Sequence, residues 1–259
     1  METPVTLSNL ERQELITQFI EKNQRVTIDQ LRAQFLISPA TARRDLKILA
    51  EQGKIQRFHG GAMANQHEPP DFPTLQRASE QAEAKKCIGK AAAALIDEGD
   101  VIFLGSGTTT LEVARHLVDH KNLTVITNSL LVINTLIDAQ GITLIALGGV
   151  LRRGELSFMG HLAELTLSEV RPAKVIMGVF AIDINGGITN KYLPETSTGR
   201  AIIKAGRELI VVADHTKFGQ ISAGLLASIN VVNTIVTDSL LNPEIEKQLL
   251  ALDKKVIKV

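Results

Sequence analysis

A single cysteine, Cys87, stands among the 259 residues, so no disulfide can form within the chain, and a small stapled secreted scaffold is excluded. With no cluster of His and Cys around it, Cys87 reads as a small buried or half-buried side chain rather than a metal ligand or nucleophile. His59, His116, His120, His161 and His215 lack ligand spacing, so neither a metal nor any other cofactor is expected. Net charge is missing as well, because 28 Lys and Arg balance 28 Asp and Glu. That excludes a protein that coats nucleic acid through its overall charge and leaves any affinity for DNA to a local patch. No charged-then-apolar leader and no apolar run long enough to span a bilayer is present, so the cytoplasm is the expected compartment and a membrane is not an expected partner. Nor is there an internal repeat, which sets solenoids aside.

What is present, 44% hydrophobic and 22% charged residues, suits a globular chain with a small domain and a larger one. The first strong signal is a helix over residues 39–52. Ser38 is its N-cap, Pro39 takes the first helical position, where a missing N–H costs nothing, and Gly53 is placed to end it in a left-handed conformation. Ala42, Leu46 and Leu49 share one inward face. Arg43 and Lys47 lie one turn apart on another, with Arg44 beside them. Taken alone, this is equally an amphipathic surface helix. Two capping boxes precede it, however. Ser8-Asn9-Leu10-Glu11 opens a helix that buries Leu10, Ile16, Phe19 and Ile20, and Thr27-Ile28-Asp29-Gln30 opens a short helix through Phe35. Three helices with a tight joint before the basic one make a helix-turn-helix, and residues 54–61 follow as a β-wing. Arg43, Arg44, Lys47, Lys54 and Arg57, against Asp45 and Glu51, supply the local basic patch.

Residues 64–73 are polar and proline-rich, the composition of an extended linker. They separate an expected winged helix-turn-helix domain, 1–63, from an expected α/β domain, 74–259. The latter opens with a helix over 74–96, stopped by Gly99. Short apolar runs at 101–104, 123–126, 143–147, 175–178, 208–212 and 231–236 then alternate with helices or Gly-rich turns. Such runs imply a mostly parallel, Rossmann-like sheet covered on both faces, and ligands of such sheets bind at the carboxyl ends of strands.

Motifs sit at those ends. Gly105-Ser106-Gly107-Thr108-Thr109-Thr110 joins a strand to a helix start, where backbone N–H groups and hydroxyls favour a phosphate or carboxylate. The loop holds no Lys and lacks the dinucleotide spacing, so it is neither a nucleotide P-loop nor a dinucleotide fingerprint. Thr127-Asn128-Ser129 follows the next strand, and residues 148–154 bring Arg152 toward the same rim. Each alone also reads as a turn or cap.

Arg12, Ile16, Val26, Leu31, Phe35, Ser38, Thr41, Arg43-Arg44-Asp45-Leu46, Leu49, Gly53, Arg57 and His59-Gly60-Gly61-Ala62 together resemble the N-terminal domain of the DeoR family of bacterial transcriptional regulators. Asp183 to Thr189, Glu195, Arg200 and Asp214 to Phe218 extend the resemblance over nearly the whole chain. It implies that Ser38, Thr41, Arg43, Arg44, Lys47, Arg57 and His59 face double-stranded operator DNA, although His59 reads as well as a turn residue beside Gly60. It also implies a C-terminal domain similar to ribose-5-phosphate isomerase. There Ser106, Gly107, Thr108 and Thr109 would hold phosphate, Asn128, Arg152 and Glu195 would surround a sugar, and Lys217 would supply a cation. The pattern departs at Ala42, where a larger apolar residue is usual, at Gly105, where Asp is frequent, and at Phe180, which stands where the isomerases carry a catalytic Asp.

The expectation is a sequence-specific regulator, a repressor of a sugar or sugar-derivative catabolic operon, modulated by a phosphorylated sugar. It would pair two-fold as a homodimer or homotetramer and would not be an enzyme. The alternative is a sugar-phosphate isomerase-like enzyme fused to a DNA-binding domain, with Glu195 and Asp214 as paired carboxylates. Phe180 speaks against it.

Overall fold

The computed structural model describes residues 9–23, 25–52, 54–58, 60–64 and 74–259. The chain divides into two compact units, Met1–Pro70 and Asp71–Val259. In the first, helix α1 (Asn9–Asn23) is followed by strand β1 (Arg25–Thr27), helices α2 (Ile28–Phe35) and α3 (Pro39–Glu51), and strands β2 (Ile55–Phe58) and β3 (Gly61–Ala64). The strands form an antiparallel sheet in the order β1-β3-β2.

Local signals set these elements. Thr27 and Gln30 exchange both bonds of a capping box, with Gln30 N–H donating to Thr27 Oγ1 at 3.3 Å and Thr27 N–H to Gln30 Oε1 at 2.8 Å. Ser38 Oγ caps α3 through Thr41 N–H at 3.1 Å. Ile16, Ile20, Val26, Leu31, Ala42, Leu46, Leu49 and Ile55 close one core, flanked by Phe19 and Phe35 packed edge-on at 5.7 Å. The expected capping Ser8, the Leu10 side chain, the helix-ending Gly53, the wing residue His59 and the linker residues 65–73 lie outside the described residues.

Asp45 departs from its expected place in the surface charge balance. It is 2% exposed and accepts bonds from Arg12 Nε at 2.8 Å, Arg12 Nη2 at 3.2 Å and Gln13 Nε2 at 3.0 Å. The pair fastens α1 to α3, and bonding to Asp45 holds the Arg12 guanidinium above its ordinary pKa despite partial burial.

The second unit begins with α4 (Thr74–Arg77), α5 (Ala82–Ala93), β4 (Val101–Leu104), α6 (Thr108–Arg115), β5 (Leu123–Thr127), α7 (Leu130–Leu136) and β6 (Ile142–Ala146). Next come β7 (Val150–Arg152), β8 (Ser157–Met159), α8 (His161–Ser168), β9 (Lys174–Gly178), β10 (Ala181–Asp183), β11 (Gly187–Asn190) and α9 (Thr196–Ala205). It closes with β12 (Glu208–Val212), β13 (Gly224–Ala227), β14 (Thr234–Thr237), α10 (Pro243–Ala251) and β15 (Lys255–Lys258). A seven-stranded sheet, parallel throughout, runs β15-β14-β12-β9-β4-β5-β6. Strand residues alternate between two cores. Ile102, Leu104, Ile176, Ile210 and Val212 face α5, α6 and α7, while Phe103, Val175, Met177, Leu209 and Val211 face α8, α9 and α10.

The structure corrects several expectations. The helix over 74–96 is broken, with Gln81 left-handed at φ 51° between α4 and α5. Thr74, at the start of α4, bonds Gly154 O through its N–H at 2.9 Å and its Oγ1 at 3.0 Å, and past the break Arg77 O accepts from Lys85 Nζ at 2.6 Å, so tertiary bonds outweigh helix propensity here. Cys87 is exposed, because the buried face of α5 runs through Lys85, Ile88, Gly89, Ala92 and Ala93, and residue 87 falls off that i, i+3, i+4 stripe. The run at 231–236 starts later, as β14. Ser228 Oγ instead caps a 3-10 turn over Ile229–Val231. The β7-β8 hairpin and the antiparallel sheet β10-β11-β13 go beyond the strands expected from the sequence. Among the described residues no helix is long and apolar enough to cross a membrane.

Candidate functional site

On α3 the buried side is Ala42, Asp45, Leu46 and Leu49. Arg43, Arg44 and Lys47 stand exposed on the rest of the surface, with Ser38 exposed and Thr41 half-buried at the helix start and Arg57 exposed on the wing strand β2. Lys47 reaches Glu51 at 3.8 Å, but both side chains are about two-thirds exposed, which makes this a weak, screened pair. Arg25 lies over the Phe58 ring at 4.2 Å and stiffens the wing. The helix end thus offers hydroxyls and guanidinium groups to solvent from a locally capped, rigid element.

In the second unit a cavity of about 110 Å³ opens at the carboxyl ends of the parallel strands. Ser106, Gly107, Thr108, Thr109, Asn128, Arg152, Glu195 and Lys217, the effector residues expected from the sequence, all line it. Gly107 holds φ at 124° and has no side chain to cap α6, so its residue type leaves the first-turn N–H groups of that helix without a side-chain cap. The cavity has room for a small organic anion rather than a lone water.

Two carboxylate–guanidinium pairs form its polar wall. Arg152 binds Glu195, and Arg77 binds Glu155. Glu195 also accepts from Ser157 Oγ at 3.1 Å and Asn190 Nδ2 at 3.2 Å, and Arg152 stacks on Tyr192 at 4.3 Å. Burial pushes the Glu155 carboxyl above its usual range, with Arg77 opposing and Glu195 reinforcing the shift. Asn128 is 2% exposed. Its Nδ2 donates to Phe158 O at 3.1 Å, while its Oδ1 has no partner among the described residues. A buried acceptor left open on a cavity wall is costly unless a ligand donor completes it.

Sequence reasoning missed Lys85, Arg77, Glu155, Asn190 and Lys191, which also line the cavity. Lys85 is 5% exposed and donates to Arg77 O at 2.6 Å. Burial lowers its pKa, Asp214 opposes that and Lys217 adds to it. Its signal was a lysine in register with Ile88, Gly89 and Ala92 on an otherwise apolar stripe. Lys191 and Lys217 hold their ammonium groups 5.6 and 5.9 Å from the Phe180 ring. Asp214, considered as a partner for Glu195, instead caps the turn His215–Lys217 through Thr216 N–H at 3.0 Å.

A family profile described as the DeoR C terminal sensor domain matches residues 80–239, and one described as the DeoR-like helix-turn-helix domain matches residues 12–68. The chain belongs to the DeoR family. A transcriptional repressor, AccR, of Agrobacterium fabrum is 38% identical over 233 residues, 90% of each chain. The glycerol-3-phosphate regulon repressor of Escherichia coli is 34% identical over 233 residues, 90% of this chain and 92% of that one. Among solved structures, ribose 5-phosphate isomerase from Plasmodium falciparum aligns with a TM-score of 0.39 at 18% identity, over 52% of each chain. Within the DeoR family match, the sensor profile spans every cavity residue but Arg77, and the helix-turn-helix profile spans α3 and the wing.

Proposed function

We propose that this protein is a DNA-binding transcriptional repressor of a sugar or sugar-derivative operon, and that a phosphorylated sugar or polyol in the cavity modulates its hold on operator DNA. The observation that carries the reading is the convergence of an uncapped helix start, two ammonium groups and an open buried acceptor in one cavity. Phosphate oxygens would take the first-turn N–H groups, the hydroxyls of Ser106, Thr108 and Thr109, and the charge of Lys85 and Lys217. Sugar hydroxyls would donate to Asn128 Oδ1 and Glu195. Arg43, Arg44 and Lys47, with Ser38, Thr41, Arg57 and His59, would form the DNA face, with α3 in the major groove.

Binding alone accounts for the site. Glu195 is engaged by Arg152, Ser157 and Asn190, which suits a fixed acceptor better than a general base, and Phe180 supplies no proton. The relatives compared are named as repressors, in keeping with a sensor. Coupling to DNA would run through α4, the first described element of the second unit, which is fastened to cavity residues. Arg77 meets Glu155, and Lys85 meets Arg77 O. A ligand that competes for these groups bears on the segment leading to the reading head, and it shifts DNA binding only by its differential affinity for the two states. Two-fold pairing would place two such heads on a palindromic operator.

Calorimetric titration of the full chain with a panel of sugar phosphates, repeated with its upstream DNA present, tests this. A specific ester should bind and alter DNA affinity by the same factor that DNA alters its own affinity. Turnover of the ester, or binding indifferent to DNA, would refute the reading.

A further inference from the structure

Four glycines line the cavity, and they differ in what requires them. Gly107 needs glycine for its φ of 124°. At Gly199 a Cβ would meet Leu226 Cδ2 at 2.8 Å, so packing disfavours a side chain. Gly105 and Gly178 have neither reason. Neither has a left-handed backbone, and a Cβ on Gly105 would meet Met177 Cβ at 3.4 Å and Ile176 O at 3.5 Å, both ordinary contacts. On Gly178 the nearest atoms would be Ser106 O at 3.6 Å and Thr110 Cγ2 at 3.9 Å. Gly178 closes β9, and Gly105 follows β4 directly and continues its bonding to β9. Gly105 N–H donates to Ile176 O at 2.9 Å, and Gly178 pairs with Val212.

A glycine at such a place weakens the strand relative to alanine, through backbone entropy and lost packing. Glycine in a strand otherwise marks a bulge, the close approach of another backbone, or the close approach of a ligand. The unshifted register of the β9–β12 and β4–β9 pairing and the space around a built Cβ exclude the first two here. We infer that Gly105 and Gly178 are kept bare for the ligand: the carbon skeleton of the effector lies against the peptide planes at the ends of β4 and β9, and these two positions set the bulk it is allowed. This rests on the proposed binding of a phosphate ester. It assigns the glycines to the skeleton and not to the phosphate, which has its own donors at the start of α6. The walls near them, Phe103 and Met177, are apolar, as a carbon face requires.

The test is calorimetric titration of the full chain and of Gly105→Ala and Gly178→Ala with inorganic phosphate, glycerol 3-phosphate and hexose 6-phosphates, alongside thermal unfolding. Both variants should unfold at or above the midpoint of the unaltered protein. Each should hold inorganic phosphate within about twofold and lose about tenfold or more on the ester that binds most tightly, the usual effect of one misplaced methyl group in a closed pocket. Unchanged ester affinity in both variants would overturn the inference and leave the sensor reading standing. Equal losses for inorganic phosphate and ester would also overturn it, by moving the glycines into the anion site. A lowered unfolding midpoint in both would show that packing requires glycine, with the same consequence. If the unaltered protein bound no ester at all, the sensor reading itself would fail and this inference with it.

Discussion

On α3, Arg43, Arg44 and Lys47 stand in solvent on a helix whose other side is packed, whereas in the sensor unit Lys85, Arg152, Glu155 and Glu195 are drawn into a cavity wall. On a surface, a charge keeps its hydration wherever the helix turns it. Its position therefore follows from the period of the apolar face alone. In a cavity the hydration is lost, and each charge must meet a partner. Those partners come from far along the chain, 43 residues between Arg152 and Glu195 and 78 between Arg77 and Glu155. One unit shows its chemistry in local spacing, the other in tertiary pairing.

The largest effect should come from cutting a cavity pair. Arg152→Ala removes a side chain 8% exposed from a carboxylate 11% exposed. Loss of one member of a buried pair costs about 3–5 kcal/mol. Ser157 and Asn190 still serve Glu195, which puts the expected loss near about 3 kcal/mol, read as a lower denaturant midpoint for the sensor unit. A loss below about 1 kcal/mol would mean that the wall is as well hydrated as the surface of α3, and the contrast between the units would collapse.

Arg12 and Asp45 test the contrast from the other side, because they form a cavity-like pair inside the reading head. Arg12→Ala strips Asp45, 2% exposed, of two bonds and leaves it Gln13 alone among the described residues. Charged hydrogen bonds of this kind contribute about 1.5–3 kcal/mol. The N-terminal unit should lose about 2 kcal/mol, and operator affinity should fall only as far as the folded fraction does. A drop in affinity with the fold intact would make Arg12 part of the DNA face instead.

Arg43→Ala should do the reverse. Stability changes little, while operator affinity falls by about 1–3 kcal/mol if the guanidinium reads a guanine. A phosphate contact would weaken all sequences together and lower the salt slope by about one. Electrophoretic titration on operator and scrambled duplexes, with unfolding measured in parallel, distinguishes the two. Unchanged binding to both would remove α3 from the interface.

How much was legible follows the same division. Thr27, Ser38 and Pro39 announced two helices because their caps act within three residues, and the runs at 101–104 and 208–212 became β4 and β12 with the same bounds. Ser106 to Thr109, Asn128 and Arg152 were found because they follow apolar runs or open helices, which is local information. Glu195 and Lys217 were named through family resemblance, and the pairing of Glu195 with Arg152 was not visible. Lys85 stands beside Lys86 in the sequence and went unread, yet only Lys86 is exposed. Its burial depends on the acceptor at Arg77 O, which exists only because the helix over 74–96 breaks. Asp45 was counted as a surface charge for the same reason, since nothing near it in sequence reveals Arg12.

The smallest effect tests whether the reading head is optimised locally everywhere. Leu36, at the joint between α2 and α3, holds a left-handed conformation at φ 54° and ψ 39° and is 92% exposed. A leucine there is strained by about 1–2 kcal/mol, because Cβ crowds the following carbonyl, and its side chain gains nothing from burial. Glycine would relieve the strain, yet it brings about 0.5–1 kcal/mol of extra backbone entropy to the unfolded chain. The difference leaves a net gain of about 0.5 kcal/mol for Leu36→Gly in thermal unfolding of the first unit. Leu36→Ala keeps the Cβ and should gain nothing, so the pair separates backbone strain from removal of an exposed apolar group. Operator affinity should be the same in both. Equal stabilisation by alanine and glycine would show that exposure, not the left-handed turn, is what this joint pays for.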